Sequence, residues 1–338
     1  ISTNEPQVAK LLSKSPRLSA TTSNSKVIRE CDIIYTLVAT PSKRDGSYDV
    51  SSVWKVVEDI KKVNKKNLNG KAFVVGCTTN PGDCKKFQDD LKDYGVNVFY
   101  NPEFIAQGTI IKDLRTADMV LIGGKRNETY DQLCELYNRI QEVPPKISIM
   151  STTAAELVKL AVNCFLTTKI SYANMVGQVM ALSGMDNEIP AVLGAIGDDS
   201  RVGRKYLNFG FGFGGPCLPR DNRAFAAYSK KLGLDYNLGE TTDKFNNEHA
   251  DFIKEFFIYR NPDNIPFYFD YVSYKKGTDI LTESQQYKLC IDLLDDGYEV
   301  YINDNSDIVD RISDDLNEKY PNKVKFGVPD ENVCPIEF

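Results

Sequence analysis

Chemistry in this chain concentrates in one stretch, Phe211-Gly212-Phe213-Gly214-Gly215-Pro216-Cys217-Leu218-Pro219-Arg220-Asp221. A single cysteine follows a run of glycines and precedes Pro219, a residue able to open a helix. Glycine lets a backbone approach a ligand closely and take conformations closed to other residues. A thiol at the start of a helix is drawn toward its thiolate by backbone N–H groups and the helix dipole. The stretch reads as a nucleophile presented beside a tightly wrapped substrate. Its plainer reading is a buried cysteine after a glycine turn.

Gly210, Gly212 and Gly215 also spell G-x-G-x-x-G, with Asp235 at the spacing of a ribose-binding acid. A dinucleotide loop needs an apolar strand leading into it. Here the preceding residues are Gly203-Arg204-Lys205-Tyr206-Leu207-Asn208, so the stretch is not read as a cofactor loop.

The 338 residues allow two or three domains, and 42% hydrophobic with 26% charged residues describes an ordinary soluble globular chain. A net charge of -6 argues against nucleic acid as a partner. No stretch reaches transmembrane length and no signal peptide is visible, so neither a membrane nor secretion is expected. The eight cysteines include no C-x-x-C pair, a usage that fits reduced thiols and a cytoplasmic location. The one histidine, His249, leaves no basis for a His-rich metal site or a Ser-His-Asp triad, and no metal is expected. Its polar neighbours Asn246-Asn247-Glu248 predict a surface position for it.

The elements that must position the cysteine follow from hydrophobic periodicity. Apolar runs at 32–40, 72–78, 96–100 and 119–123 alternate with helical spacing at 49–62 and 83–94. That alternation predicts a parallel sheet covered on both faces, with ligands at the carboxyl ends of its strands. Thr40-Pro41, Thr78-Thr79-Asn80-Pro81 and Asn101-Pro102-Glu103 lie at three such ends and are expected to converge on one crevice. From Thr152 to about Met175 there is neither Gly nor Pro, and Ala154, Leu157, Val158, Ala161, Val162 and Phe165 recur at helical spacing. This predicts one long helix capped by Ser151 or Thr152. A helix at 221–232 should follow the glycine loop, and strands at 267–274 and 299–302 around a helix at 283–295 predict a second α/β unit. The expected division is 1–150, 151–258 and 259–338.

Lys159 and Asn163, spaced i, i+4, share one helix face. Alone they would be a solvated stripe, and Glu103 a turn residue. Together with other blocks, however, they resemble the UDP-glucose/GDP-mannose 6-dehydrogenase family. The likeness is carried by Val38-Ala39-Thr40-Pro41, by Asn101-Pro102-Glu103-Phe104 with Gly108-Thr109, by Glu156-Leu157-Val158-Lys159 with Asn163, and by the cysteine loop. A weaker block is Tyr274-Lys275-Lys276-Gly277-Thr278-Asp279 with Glu283-Ser284.

The resemblance implies an α/β fold of two Rossmann-like doubly wound domains joined by the long central helix. It implies NAD as cofactor and oxidation of the C6 alcohol of a nucleotide sugar, UDP-glucose first, to a carboxylate. In that scheme Cys217 captures the C6 aldehyde as a thiohemiacetal and then a thioester. Lys159, with Asn163, stabilises charge on the C6 oxygen. Asp221 holds water or relays protons, Thr78 positions that water near the nicotinamide, and Glu103 is the acid/base of thioester hydrolysis. Cofactor contacts are implied for Thr40, Pro41, Thr78, Glu103 and Arg220. Substrate contacts are implied for Phe104, Lys159, Asn163, Tyr206, Asn208, Gly214 and Lys275. Arg201 resembles an arginine donated by a neighbouring subunit, which implies a homodimer built on the long helix with the active site near its interface.

The departures matter as well. The family's amino-terminal strand and G-x-G-x-x-G loop do not occur in this sequence, and the expectation is that they belong upstream of Ile1. Gln107 stands for a usual glutamate, Arg220 for lysine, and Pro216 for a small polar residue; Gly108 after Gln107 leans toward UDP-glucose. The match is poor beyond residue 310. A GDP-mannose or other nucleotide-sugar 6-dehydrogenase stays open, as does a nucleotide-sugar-binding protein without full catalysis.

Overall fold

The computed structural model describes residues 5–105, 108–330 and 332–338. The chain divides into two compact units, 1–161 and 162–338.

The first unit opens with helices α1 (Val8–Ser13) and α2 (Asn24–Glu30) and continues through β1 (Ile33–Thr36), α3 (Ser51–Lys61), β2 (Ala72–Val75), α4 (Asp83–Leu91), β3 (Asn97–Tyr100), α5 (Ile110–Arg115), β4 (Val120–Gly123), α6 (Glu128–Ile140) and β5 (Ile147–Met150). The strands form one sheet in the order β1-β2-β3-β4-β5. β2 and β4 are buried along their whole length, as apolar runs covered on both faces must be. Ala72, Val74, Phe99, Val120, Ile122, Leu133 and Tyr137 make one core against α6.

The expected parallel sheet holds for β1-β2-β3 and for β4-β5, but β4 meets β3 antiparallel through the single pair Tyr100 and Gly123. The connection between them carries only the six-residue α5, and β4 returns alongside β3 instead of crossing over.

Helix α7 (Thr152–Leu182) begins in the first unit and ends in the second. It runs seven residues past the expected end at Met175, because nothing in Val176–Leu182 breaks it apart from Gly177, where a side chain would collide with the Phe209 ring. Ser151 caps it, accepting from the Ala154 amide at 3.3 Å. No helix among the described residues is long and apolar enough to cross a membrane.

The second unit adds α8 (Ile189–Asp198), α9 (Leu218–Lys231), α10 (Leu238–Tyr259), β6 (Phe267–Phe269), α11 (Gln285–Asp295), β7 (Val300–Ile302), α12 (Ser306–Lys319), β8 (Val324–Phe326) and β9 (Cys334–Pro335). Its sheet is parallel throughout, in the order β8-β7-β6-β9. Ile253 and Phe257 of α10 pack with Phe267, Phe269, Val300 and Ile302 of that sheet.

The expectation that His249 lies on the surface is overturned. Its side chain is fully buried, on the α10 face that also buries Thr242, Asn246, Ile253 and Phe257. The polar neighbours Asn247 and Glu248 face away along the same helix, so local composition misled where helical phase decides.

Candidate active site

In the first unit the register of β1, β2 and β3 aligns Thr36 with Val75 and Val75 with Tyr100, so the three polar strand ends leave the sheet side by side. The Tyr35 hydroxyl donates to the Asn101 carbonyl at 2.6 Å, with Asn101 Oδ1 at 3.0 Å and Glu103 Oε1 at 3.4 Å as further acceptors. Gly76 gives the Tyr35 ring its space, since a Cβ there would strike the ring. Tyr137 donates to Asn101 Oδ1 at 2.8 Å, and Asn101 donates to the Leu121 carbonyl at 2.9 Å.

Burial pushes the Glu103 carboxyl above its usual value, against the opposing pull of the Tyr35 hydrogen bond and the Lys159 charge. Burial also pushes the Tyr35 phenol up, with Tyr137 and Glu103 adding to it, which keeps Tyr35 a donor. Lys159 Nζ donates to the Glu103 backbone carbonyl at 3.1 Å and lies 4.6 Å from the centre of the Phe104 ring, a cation–π contact. A shallow cleft opens here, lined by Asn101, Glu103, Phe104, Asp113, Tyr137 and Gln141 among others. Lys159, Glu103 and Phe104, singled out separately in the sequence, thus form one cluster.

Glu156 supports this region from beneath. It is fully buried and accepts from the Thr79 hydroxyl at 2.8 Å, the Gly82 amide at 2.6 Å and the Cys84 amide at 2.8 Å. Gly82 at the N-cap of α4 has no side chain to offer, and α7 supplies the capping carboxylate instead. The segment carrying Thr78 is fixed in this way. Thr40 is buried, Pro41 is exposed and Thr78 is half-buried.

In the second unit Cys217 is exposed and stands at the N-cap of α9, with Pro219 in the first turn. The helix begins at Leu218, three residues earlier than expected, which sets the thiol at the helix start itself. Asp221 lies buried in that first turn and accepts from the Asn163 amide at 2.5 Å. Side chains at Gly212, Gly214 and Gly215 would collide with Asn246, the Glu283 carbonyl and the Tyr274 ring respectively. Asn246 accepts from the Phe213 amide at 2.8 Å and donates to its carbonyl at 3.0 Å. Asn174 accepts from the Gly210 amide at 3.0 Å. Arg223 of α9 pairs with Asp243 at 3.0 Å and Glu283 at 2.7 Å, holding the segment on which Gly214 rests.

Tyr274, quoted in the sequence only as the start of the weaker block and given no role there, lays its ring against Gly215 of the cysteine loop. Burial and then the nearby Cys217 thiol push its phenol up. It ends the β6 loop, where Asp304 accepts from the Val272 and Ser273 amides at 2.9 and 2.8 Å. Lys275 follows and is exposed. Tyr206 and Asn208 are exposed, Tyr206 with a φ of 61°. Arg220 is half-buried. Arg201 is not drawn into the cysteine cluster; it forms a bidentate pair with Asp199, with Nε at 3.0 Å and Nη2 at 2.6 Å, and faces outward. Gln107 lies outside the described residues.

Residues 1–141 match the profile of the UDP-glucose/GDP-mannose dehydrogenase family, NAD binding domain, and residues 153–248 match that family's central domain. The chain belongs to the UDP-glucose/GDP-mannose dehydrogenase family. It is 30% identical to a UDP-glucose 6-dehydrogenase of Rickettsia bellii, over 83% of this chain and 65% of that one. It is also 30% identical to a GDP-mannose 6-dehydrogenase of Pseudomonas aeruginosa, over 86% of this chain and 67% of that one. Among solved structures, a UDP-glucose dehydrogenase from the hyperthermophilic archaeon Pyrobaculum islandicum superposes with a TM-score of 0.83 at 26% identity, covering 96% of this chain and 75% of that one. The chain thus spans between about half and two thirds of the length of the Rickettsia, Bacillus and Pseudomonas relatives it matches.

For the family's NAD, the aligned polar ends of β1, β2 and β3 fit the nicotinamide portion, with Thr40, Pro41, Thr78 and Glu103 as the residues that would hold it. The glycines at 210–215 follow no strand and serve the cysteine loop, so they do not fit the pyrophosphate.

Proposed function

We propose that the chain is a NAD-dependent UDP-glucose 6-dehydrogenase, oxidising the C6 alcohol to the carboxylate of UDP-glucuronate through a covalent intermediate on Cys217. One observation carries this reading: an exposed cysteine at the N-cap of α9, in a glycine loop too closely packed for side chains, with Asp221 in the first turn behind it. NAD, when bound, takes up the hydride leaving C6 in each oxidation.

Cys217 attacks the C6 aldehyde. The carbon–sulfur bond forms and the carbonyl electrons move to oxygen, giving a thiohemiacetal, which loses hydride to become a thioester. Lys159 and Asn163 stabilise the charge on that oxygen. Water held by Asp221 and Thr78 then attacks the thioester carbon, Glu103 takes its proton, and the carbon–sulfur bond breaks, releasing the carboxylate and returning Cys217 as its thiolate. Burial raises the Glu103 pKa and so makes it a stronger base than an exposed glutamate. Phe104, Tyr206, Asn208, Gly214 and Lys275 hold the nucleotide sugar.

The working form is a cytoplasmic homodimer. Phe165, Tyr172, Met175, Val179 and Leu182 follow one another at intervals of seven, three, four and three residues along α7 and are all exposed, an apolar stripe suited to the same stripe of a second copy. Arg201, free of the cysteine cluster in its own chain, reaches the partner's substrate. The GDP-mannose 6-dehydrogenase relative, matched over 86% of this chain, supports GDP-mannose as a second substrate reading.

The test is NADH formation by the protein supplied with NAD and offered UDP-glucose, GDP-mannose and UDP-N-acetylglucosamine separately. Preference for UDP-glucose with two NADH per sugar is expected, and loss of product in Cys217→Ser with substrate binding retained. A Cys217→Ser variant making carboxylate at the normal rate would sink the covalent route.

A further inference from the structure

His249 is the one histidine of the chain, and none of the roles above uses it. It is fully buried, yet both ring nitrogens are engaged. Nε2 lies 2.7 Å from the Gly210 carbonyl, and Nδ1 lies 2.7 Å from Gln178 Nε2 of α7. A backbone carbonyl can only accept a hydrogen bond. Nε2 must therefore carry the proton, which leaves Nδ1 as the acceptor of the Gln178 amide. Among the described residues the aromatic rings around the imidazole are Phe209, just before the glycine loop, and Phe245 and Phe252 from its own helix.

Gly210 opens the loop that leads to Cys217, and its amide is held at the same time by Asn174. Three residues on, Asn246, one helical turn before His249, holds both backbone groups of Phe213. One face of α10 thus grips the loop at two points, and Gln178 fixes the orientation of the imidazole that makes one of them.

We infer that His249 is a positioning residue for the cysteine loop, its neutral Nε2–H tautomer, set by Gln178, anchoring Gly210 and through it the placement of Cys217. The inference rests on reading that loop as catalytic, but its geometry does not depend on the substrate. The imidazole acts on the reaction through the loop backbone and touches no reacting atom. A hydrophobic side chain of similar size would fill the same space and leave the Gly210 carbonyl and the Gln178 amide without partners.

The decisive experiment needs neither nicotinamide nor sugar, so a chain that proves not to be a dehydrogenase would leave it intact. With one histidine, the nitrogen-15 imidazole spectrum of the whole protein is assigned without ambiguity. The Nε2–H tautomer is expected at neutral pH; an Nδ1–H tautomer overturns the inference even if every variant fails to fold. His249→Leu should then speed amide exchange across 208–217 by about tenfold, while the β6 and β7 amides stay unchanged. It should also change the iodoacetamide labelling rate of Cys217 relative to Cys31, the internal reference, since both thiols are exposed. His249→Gln, whose amide can donate to Gly210 and accept from Gln178, should restore both readouts. Unaltered exchange and labelling in His249→Leu, or no rescue by glutamine, would reduce His249 to a packing residue.

Discussion

Asn163 donates its side-chain amide to the buried carboxylate of Asp221, joining α7 to the first turn of α9 one turn behind Cys217. Asp221 is therefore oriented before any ligand arrives. Asp221→Asn should slow thioester hydrolysis by about 10²–10⁴-fold, the range of a positioned proton-transfer group. The measurement is the intact mass of the enzyme during turnover, where an adduct on Cys217 should accumulate. Unchanged turnover with no adduct would remove Asp221 from the hydrolytic step.

The Tyr35–Glu103 contact sets a pH dependence. In the proposed mechanism Glu103 is the base; burial raises its pKa, so the carboxylate is lost as pH falls through a value above that of an ordinary glutamate. Tyr35 stabilises the charged form, and removing its hydroxyl raises the pKa further. The acid limb of the pH–rate profile in Tyr35→Phe should therefore move to higher pH. A shift downward, or none, would place Glu103 outside the proton transfer.

Glu156 should matter to stability. Glu156→Ala leaves the Thr79 hydroxyl and the Gly82 and Cys84 amides without their acceptor. A loss of about 1.5–3 kcal/mol is expected in urea unfolding, the scale of hydrogen bonds to a charged group. Glu156→Gln should lose less, because one acceptor oxygen remains.

His249 carries a stability term of definite sign. Burial lowers its pKa below 6.5, with the Gly210 hydrogen bond opposing. The unfolded chain then binds the proton more readily than the folded one. The contribution is fully present above the unfolded value and is lost as pH falls through the folded one. Thermal melts between neutral pH and pH 5 should show a steeper fall for the wild type than for His249→Gln.

The exposed stripe on α7 predicts an oligomer that a single charge disrupts. Val179→Glu places a carboxylate among Tyr172, Met175 and Leu182, and sedimentation should show monomer where the wild type sediments as dimer. A wild-type monomer at micromolar concentration would count against the dimer.

Elements with a clean apolar period were readable from the sequence. β2, α4 and α11 lie within two or three residues of their expected bounds, because each buries one face or all of itself. The residues that went unread take their role from contacts distant in sequence. Tyr35 meets Glu103 across a neighbouring strand, and the Tyr274 ring fills the space beside Gly215, two residues before Cys217. His249 shows a different failure. The buried face of α10 runs Thr242, Asn246, His249, Ile253, Phe257, a helical period written half in polar residues. A count of apolar residues cannot find it, since each polar member is buried against a partner on another segment.

Gly76 leaves a trace that sequences alone could reveal. The space its missing side chain opens is filled by the Tyr35 ring on the next strand. The two positions are therefore not independent under mutation: a larger residue at 76 needs a smaller residue at 35 and a displaced Leu37, and with the loss of the tyrosine the hydroxyl beside Glu103 is gone. Across relatives of this chain, residue choice at 35 and 76 should covary, and the branches that keep tyrosine with glycine should be those whose glutamate works at the lower pH.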